Sequence, residues 1–124
     1  MIAGYPVRTM SVSIHPYFKA HAGMTAACHA LLPAFVETTS PDKDCLYYEF
    51  TAHDDEIFCR EAYTDGAATL AHIQSVGSLL DEMLKIADLT LLEIHGPAEE
   101  LEILKPALAA LNPTWFASVC GVVK

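Results

Sequence analysis

Glu61 and Tyr63 are the residues whose types and spacing most directly offer chemistry. They stand two apart in Glu56–Tyr63 (EIFCREAY), a run of apolar, aromatic and alternating polar residues that predicts a strand. Side chains two apart on a strand share a face, so Ile57, Cys59, Glu61 and Tyr63 point one way. A phenol beside a carboxyl group can hold and polarise a hydroxylated aromatic substrate. The carboxylate can take a proton from it if burial raises its pKa. The plainer reading makes Tyr63 a packing residue and pairs Glu61 with a basic residue at a subunit interface.

Tyr48 shares a predicted strand face with Leu46 and Phe50 and reads as core lining whose hydroxyl can reach a ligand. His72 is a second candidate acid–base group. On a helical wheel Ala67, Leu70, Ala71 and Ile73 set the apolar side and His72 falls nearly opposite. His15 and His95 lie on strands expected to adjoin, as a shared pocket pair or as two separate hydrogen-bonded histidines. Phe18 and Cys59 complete the candidate substrate-binding set of Tyr48, His15, Phe18, Leu46 and Cys59. The chain has no Gly-x-Ser-x-Gly, no glycine-rich phosphate loop and no His-x-x-x-His, so no standard nucleophile, nucleotide or metal motif is present.

The elements that must position these groups follow from pattern. Residues 11–20 predict a first strand, with Pro16 implying an edge position or a bulge. Residues 24–38 carry apolar residues at Met24, Ala27, Cys28, Leu31, Phe35 and Val36, a helical face interrupted by Pro33. Residues 45–52 and Glu56–Tyr63 predict a hairpin about His53-Asp54-Asp55. Asp65 is placed to cap a helix over Gly66–Ser75, and 78–86 continues in helix. A strand over 89–95, a helix to about Leu111 interrupted at Pro106, and a strand-like run over 114–123 complete the chain. The main elements run β-α-β-β-α-β, the ferredoxin-like order, with a helix and strand added. The expected architecture is an α+β fold, an antiparallel sheet with helices on one face.

The 124 residues suit a single domain, read as an arm over 1–9 and one body over 10–124 with an extension over 96–124. Seven Lys and Arg against sixteen Asp and Glu give a net charge of −9, which excludes the basic footprint that nucleic acid or an anionic membrane needs. No apolar run reaches membrane-spanning length and the first ten residues do not read as a signal peptide, so a cytoplasmic address is the expectation. Cys28, Cys45, Cys59 and Cys120 form no Cys-x-x-Cys pair and are expected as small buried hydrophobes. Hydrophobic residues make up 52% of the chain, more than one small core demands. The open sheet face is where the excess belongs, and a second copy is its simplest cover.

Three strings in order carry a resemblance: Cys45-Leu46-Tyr47-Tyr48-Glu49, then Arg60-Glu61-Ala62-Tyr63, then Asp65-Gly66-Ala67-Ala68-Thr69-Leu70-Ala71-His72-Ile73. Together they resemble the antibiotic biosynthesis monooxygenase domain family over roughly residues 10–95. The resemblance implies a dimeric α+β barrel, with Tyr63, Glu61 and Cys59 facing a pocket between sheet and helices and His72 at the family histidine. It implies oxygenation of a quinol or similar aromatic without a cofactor, a homodimer, and a small apolar or aromatic ligand. The chain departs from the pattern at Asp44, where a glycine is common, and at Tyr63, often Trp in active members. Heme-degrading relatives use a histidine late in the second helical stretch, and residues 76–88 contain none. A non-catalytic dimeric module that holds a small ligand, or one linked to stress, is the alternative.

Overall fold

The computed structural model describes residues 11–122. The 1–9 arm lies outside the described residues. The chain forms β1 (Val12–Ala20), α1 (Thr25–Thr39), β2 (Cys45–His53), β3 (Glu56–Tyr63), α2 (Gly66–Ser75), α3 (Gly77–Leu84), β4 (Ala87–Gly96), α4 (Ala98–Leu108), a 3-10 turn (Ala109–Leu111) and β5 (Thr114–Ala117). The sheet order is β2-β3-β1-β4-β5. The first four strands pair antiparallel in the ferredoxin-like order, and β5 joins β4 in parallel, so the sheet is mixed. A parallel neighbour needs a crossover, and α4 supplies it.

β1 is central, which corrects the edge position expected from Pro16. The bulge alternative fits: the β1–β4 register shifts between Tyr17 and Phe18, one residue past the proline. The β2–β3 register shifts as well, between Cys45 and Tyr47. That shift turns Leu46 outward, 54% exposed, and separates it from the face Tyr48 shares with Phe50. The final strand ends at Ala117, because β4 ends at Gly96 and offers no further partner backbone.

Two apolar clusters fill the space between sheet and helices. One joins Val12, Ile14, Tyr63, Leu92 and Ile94 to Leu101, Leu104 and Leu108 of α4. The other joins Phe18, Ala20 and Ile57 to Cys28 and Phe35 of α1 and to Val76 and Met83. The α1 face is narrower than its pattern, with Cys28, Phe35 and Thr39 buried and Met24 and Val36 exposed. Cys28 and Cys59 are buried as expected, whereas Cys120 is exposed.

The opposite sheet face carries an aromatic strip. Phe116 stacks on His95 at 4.4 Å, His95 meets His15 edge-on at 4.8 Å, and Tyr17 stacks on Phe58 at 4.5 Å. Among the described residues no helix is long and apolar enough to cross a membrane.

The N-terminus of α2 is fixed twice. Asp65 Oδ1 accepts the Ala68 N–H at 2.8 Å, and Glu100 Oε1 of α4 accepts the Gly66 N–H at 2.8 Å. A side chain at Gly66 would reach within 2.5 Å of the Glu100 carbonyl oxygen, so the glycine permits this approach of α4. The C-terminal extension thereby anchors the helix that carries His72. Asp65→Ala is expected to lower stability by about 1 kcal/mol and Asp65→Asn by much less, read from urea denaturation midpoints.

Candidate active site

β3 presents Ile57, Cys59, Glu61 and Tyr63 to the helices, all buried. Antiparallel register sets Glu61 opposite Ile14 of β1 and Tyr48 of β2, so the carboxyl group rises from the middle of the sheet. The Tyr63 hydroxyl donates to Glu61 Oε1 at 2.7 Å, a short bond between buried partners. His72 Nε2 lies 3.4 Å from the same oxygen, with both side chains at most 6% exposed. The His72 ring rests 4.7 Å from the Tyr63 ring and 5.2 Å from that of Tyr48. The Cys59 thiol lies against the Glu61 carboxyl and the Tyr48 hydroxyl.

His72 therefore faces inward, contrary to the helical-wheel expectation. Ala67 and Ala71, which swung the wheel, are exposed, while the buried stripe of α2 is Gly66, Thr69 and His72. Alanine favours helix wherever it sits and marks a buried face weakly. Among the described residues, no Lys or Arg of this chain forms an ion pair with Glu61.

Burial dominates the electrostatics. It pushes the Glu61 carboxyl from 4.5 up to about 7, a rise held back by the Tyr63 and Cys59 hydrogen bonds. It pushes His72 from 6.5 down to about 4. Burial and the Glu61 charge raise Tyr63 and Tyr48 far above the ordinary phenol range, so both act as neutral donors. Cys59 rises for the same reasons and stays a thiol. Near neutrality His72 is uncharged and Glu61 is divided between its acid and its base. His72 Nδ1 is buried without a hydrogen-bond partner among the described residues, consistent with a ring kept neutral.

Glu61, His72, Tyr48 and Cys59 open onto a cavity between the sheet and the helices, whereas Tyr63 lies buried behind Glu61 and does not line it. Glu61, His72, Tyr48, Cys59 and Phe18 line it together. His15 does not: it lies on the opposite sheet face, where Ser13 Oγ sits 2.8 Å from its Nε2. The reason is the period-two alternation, which turns His15 away from the face of its neighbour Ile14. Leu46 does not line the cavity either, for the register reason above. Leu80 and Met83 of α3, Phe35 of α1 and Leu92 of β4 line it, none of them expected from sequence as a site residue. The apolar spacing of α3 was the available signal. Among the described residues no group of three or more His, Cys, Asp or Glu is arranged to hold a metal ion.

No protein-family model matches the sequence, and no curated protein matches it significantly. Solved structures do. MupZ from Pseudomonas fluorescens superposes with a TM-score of 0.91 at 29% identity, over 99% of this chain and 96% of its own. A putative antibiotic biosynthesis monooxygenase from Chloroflexus aurantiacus gives 0.58 at 20% identity, over 71% of this chain and 93% of its own. SnoaB, a cofactor-independent oxygenase from Streptomyces nogalater, gives 0.58 at 12% identity over 69% and 89%. The two shorter proteins leave nearly a third of this chain unmatched, room for the added C-terminal elements, whereas the MupZ match takes in almost all of it. In fold, the chain is similar to MupZ over nearly its whole length, and to the putative antibiotic biosynthesis monooxygenase and SnoaB over about seven-tenths of it.

Proposed function

We propose that the chain is an enzyme that moves a proton with Glu61 inside an apolar cavity, acting as a cofactor-independent monooxygenase on a quinol or similar electron-rich aromatic. The observation that carries this reading is a carboxyl group buried in the middle of the sheet at the cavity wall and hydrogen-bonded by a neutral phenol, with burial pushing its pKa up to about 7. An ordinary carboxylate is too weak a base for a phenolic or enolic proton, and burial narrows that gap. Tyr63 engages Oε1 and fixes the carboxyl plane. Neutral His72 packs against both groups and adds no charge. Once ionised, the substrate supplies the electrons: one oxygen atom of O2 enters the product and the other leaves as water. The cavity excludes solvent and orients the ring. SnoaB, of the same fold, is described as a cofactor-independent oxygenase.

The same reading takes the working unit as a homodimer through the open sheet face. That face bears the aromatic strip, and Phe116 and Leu91 are each more than 40% exposed. Oxygen-electrode measurements with a panel of quinols test the activity. Uptake by the wild-type chain that Glu61→Gln abolishes is expected. Absence of uptake across the panel contradicts the oxygenase form.

A second reading is favoured by the same carboxyl group. Near pH 7 it is as available an acid as a base, so it can take a proton from one substrate position and return it to another without consuming oxygen. Product formation under anaerobic conditions distinguishes this isomerase-type reaction. A ligand-dependent thermal shift with no product in either atmosphere supports the non-catalytic binding module.

A further inference from the structure

We infer that the ligand of this cavity carries its polar group in the interior of an apolar skeleton, with a hydrocarbon arm on each side. The inference rests on the placement of the site at Glu61 and deepens that reading by naming the substrate's shape.

The cavity lies between the two apolar clusters and takes walls from both. Phe18, Leu80 and Met83 line it on the α3 side, and Leu92, Leu108 and Leu111 on the α4 side. Along β3, Ile57 belongs to the α3-side cluster and Tyr63 to the α4-side cluster, so Glu61 sits in the seam between them. The cross-strand register agrees: Glu61 faces Ile14 of the α4-side cluster, and Ile57 faces Phe18 of the other.

The polar side chains of the lining gather at the seam. Tyr48, Cys59 and His72 all contact one another or Glu61. Beyond them both walls offer hydrocarbon and one thioether. A charged terminus in either arm would lose its water without a partner, which costs more than the about 1–3 kcal/mol of a neutral group. A ligand with one hydroxyl or carbonyl at an internal position meets the seam and fills both arms. A ligand with that group at one end leaves an arm empty or strands its polar atom.

Two isomeric ketones test this by calorimetric titration of the full chain. Dibutyl ketone and methyl heptyl ketone have the same atoms and nearly the same hydrophobicity, and differ in where the carbonyl sits. Dibutyl ketone is expected to bind at least about fivefold more tightly. Leu80→Phe, which fills the α3-side arm, is expected to remove the preference, and Val76→Leu on the same wall serves if that variant does not fold. Equal or tighter binding of methyl heptyl ketone by the wild-type chain overturns the inference, and so does binding of neither ketone. Preference for dibutyl ketone without turnover of any quinol removes the oxygenase reading and leaves this one standing.

Discussion

Glu61→Gln is expected to lower turnover by about a hundred- to ten-thousand-fold, and to make the folded chain more stable above pH 7. The two effects have opposite signs because one group causes both. Between pH 4.5 and about 7 the folded chain keeps a proton on Glu61 that the unfolded chain has lost. Stability therefore falls as pH rises through that window and stays lower above it. Moving a carboxyl from 4.5 to about 7 corresponds to about 3 kcal/mol, the most that Gln can restore. Below pH 4.5 both chain states hold the proton, and this advantage of the variant disappears. Gln keeps a carbonyl that can accept the Tyr63 hydroxyl, so the packing is retained. His72 contributes the opposite slope. Between pH 4 and 6.5 the unfolded chain binds a proton that the folded chain refuses, so stability rises with pH. In the wild type the two slopes nearly cancel from 4.5 to 6.5. In Glu61→Gln the His72 slope stands alone. Urea denaturation of both proteins across pH 4 to 8 reads the crossover, and a variant destabilised at every pH would show that Glu61 is a satisfied structural group.

Tyr63→Phe is expected to shift the pH dependence of activity. The Tyr63 hydroxyl holds the Glu61 carboxyl down, so its removal lets the pKa climb above 7. Activity at pH 7 falls and recovers at higher pH as the base ionises. Hydrogen bonds to ionised groups contribute about 1.5–3 kcal/mol against about 1 for neutral pairs. The loss of stability is thus larger above pH 7 than below pH 5. A pH–rate profile lowered uniformly, with its midpoint unmoved, would make Tyr63 a packing residue.

The fold was legible where pattern and propensity agree. The β-α-β-β-α-β order, the Asp65 cap and the shared face of Cys59, Glu61 and Tyr63 all follow from spacing, and the structure has each of them. What misled were single residues whose environment is set by distant partners. A bulge between Cys45 and Tyr47 moved Leu46 to solvent, and no local rule places a bulge there. Exposed Ala67 and Ala71 disguised the inward face of α2, whose orientation is set by Glu100 of α4 binding the Gly66 N–H. His15 adjoins His95 as its strand position implies, but on the face away from the cavity. Glu61 and Tyr63 could be paired from sequence because two residues on one strand need no tertiary information. The approach of His72 to Glu61 joins a helix to a strand and became visible only in three dimensions.

The most direct measurement is the titration of Glu61 itself, followed by carbon NMR of the chain labelled at its glutamate carboxyls and assigned by the signal missing from Glu61→Gln. A midpoint near 7 is the predicted result. A midpoint near 4.5, the value of an ordinary glutamate, would contradict the buried base on which the proposed chemistry depends.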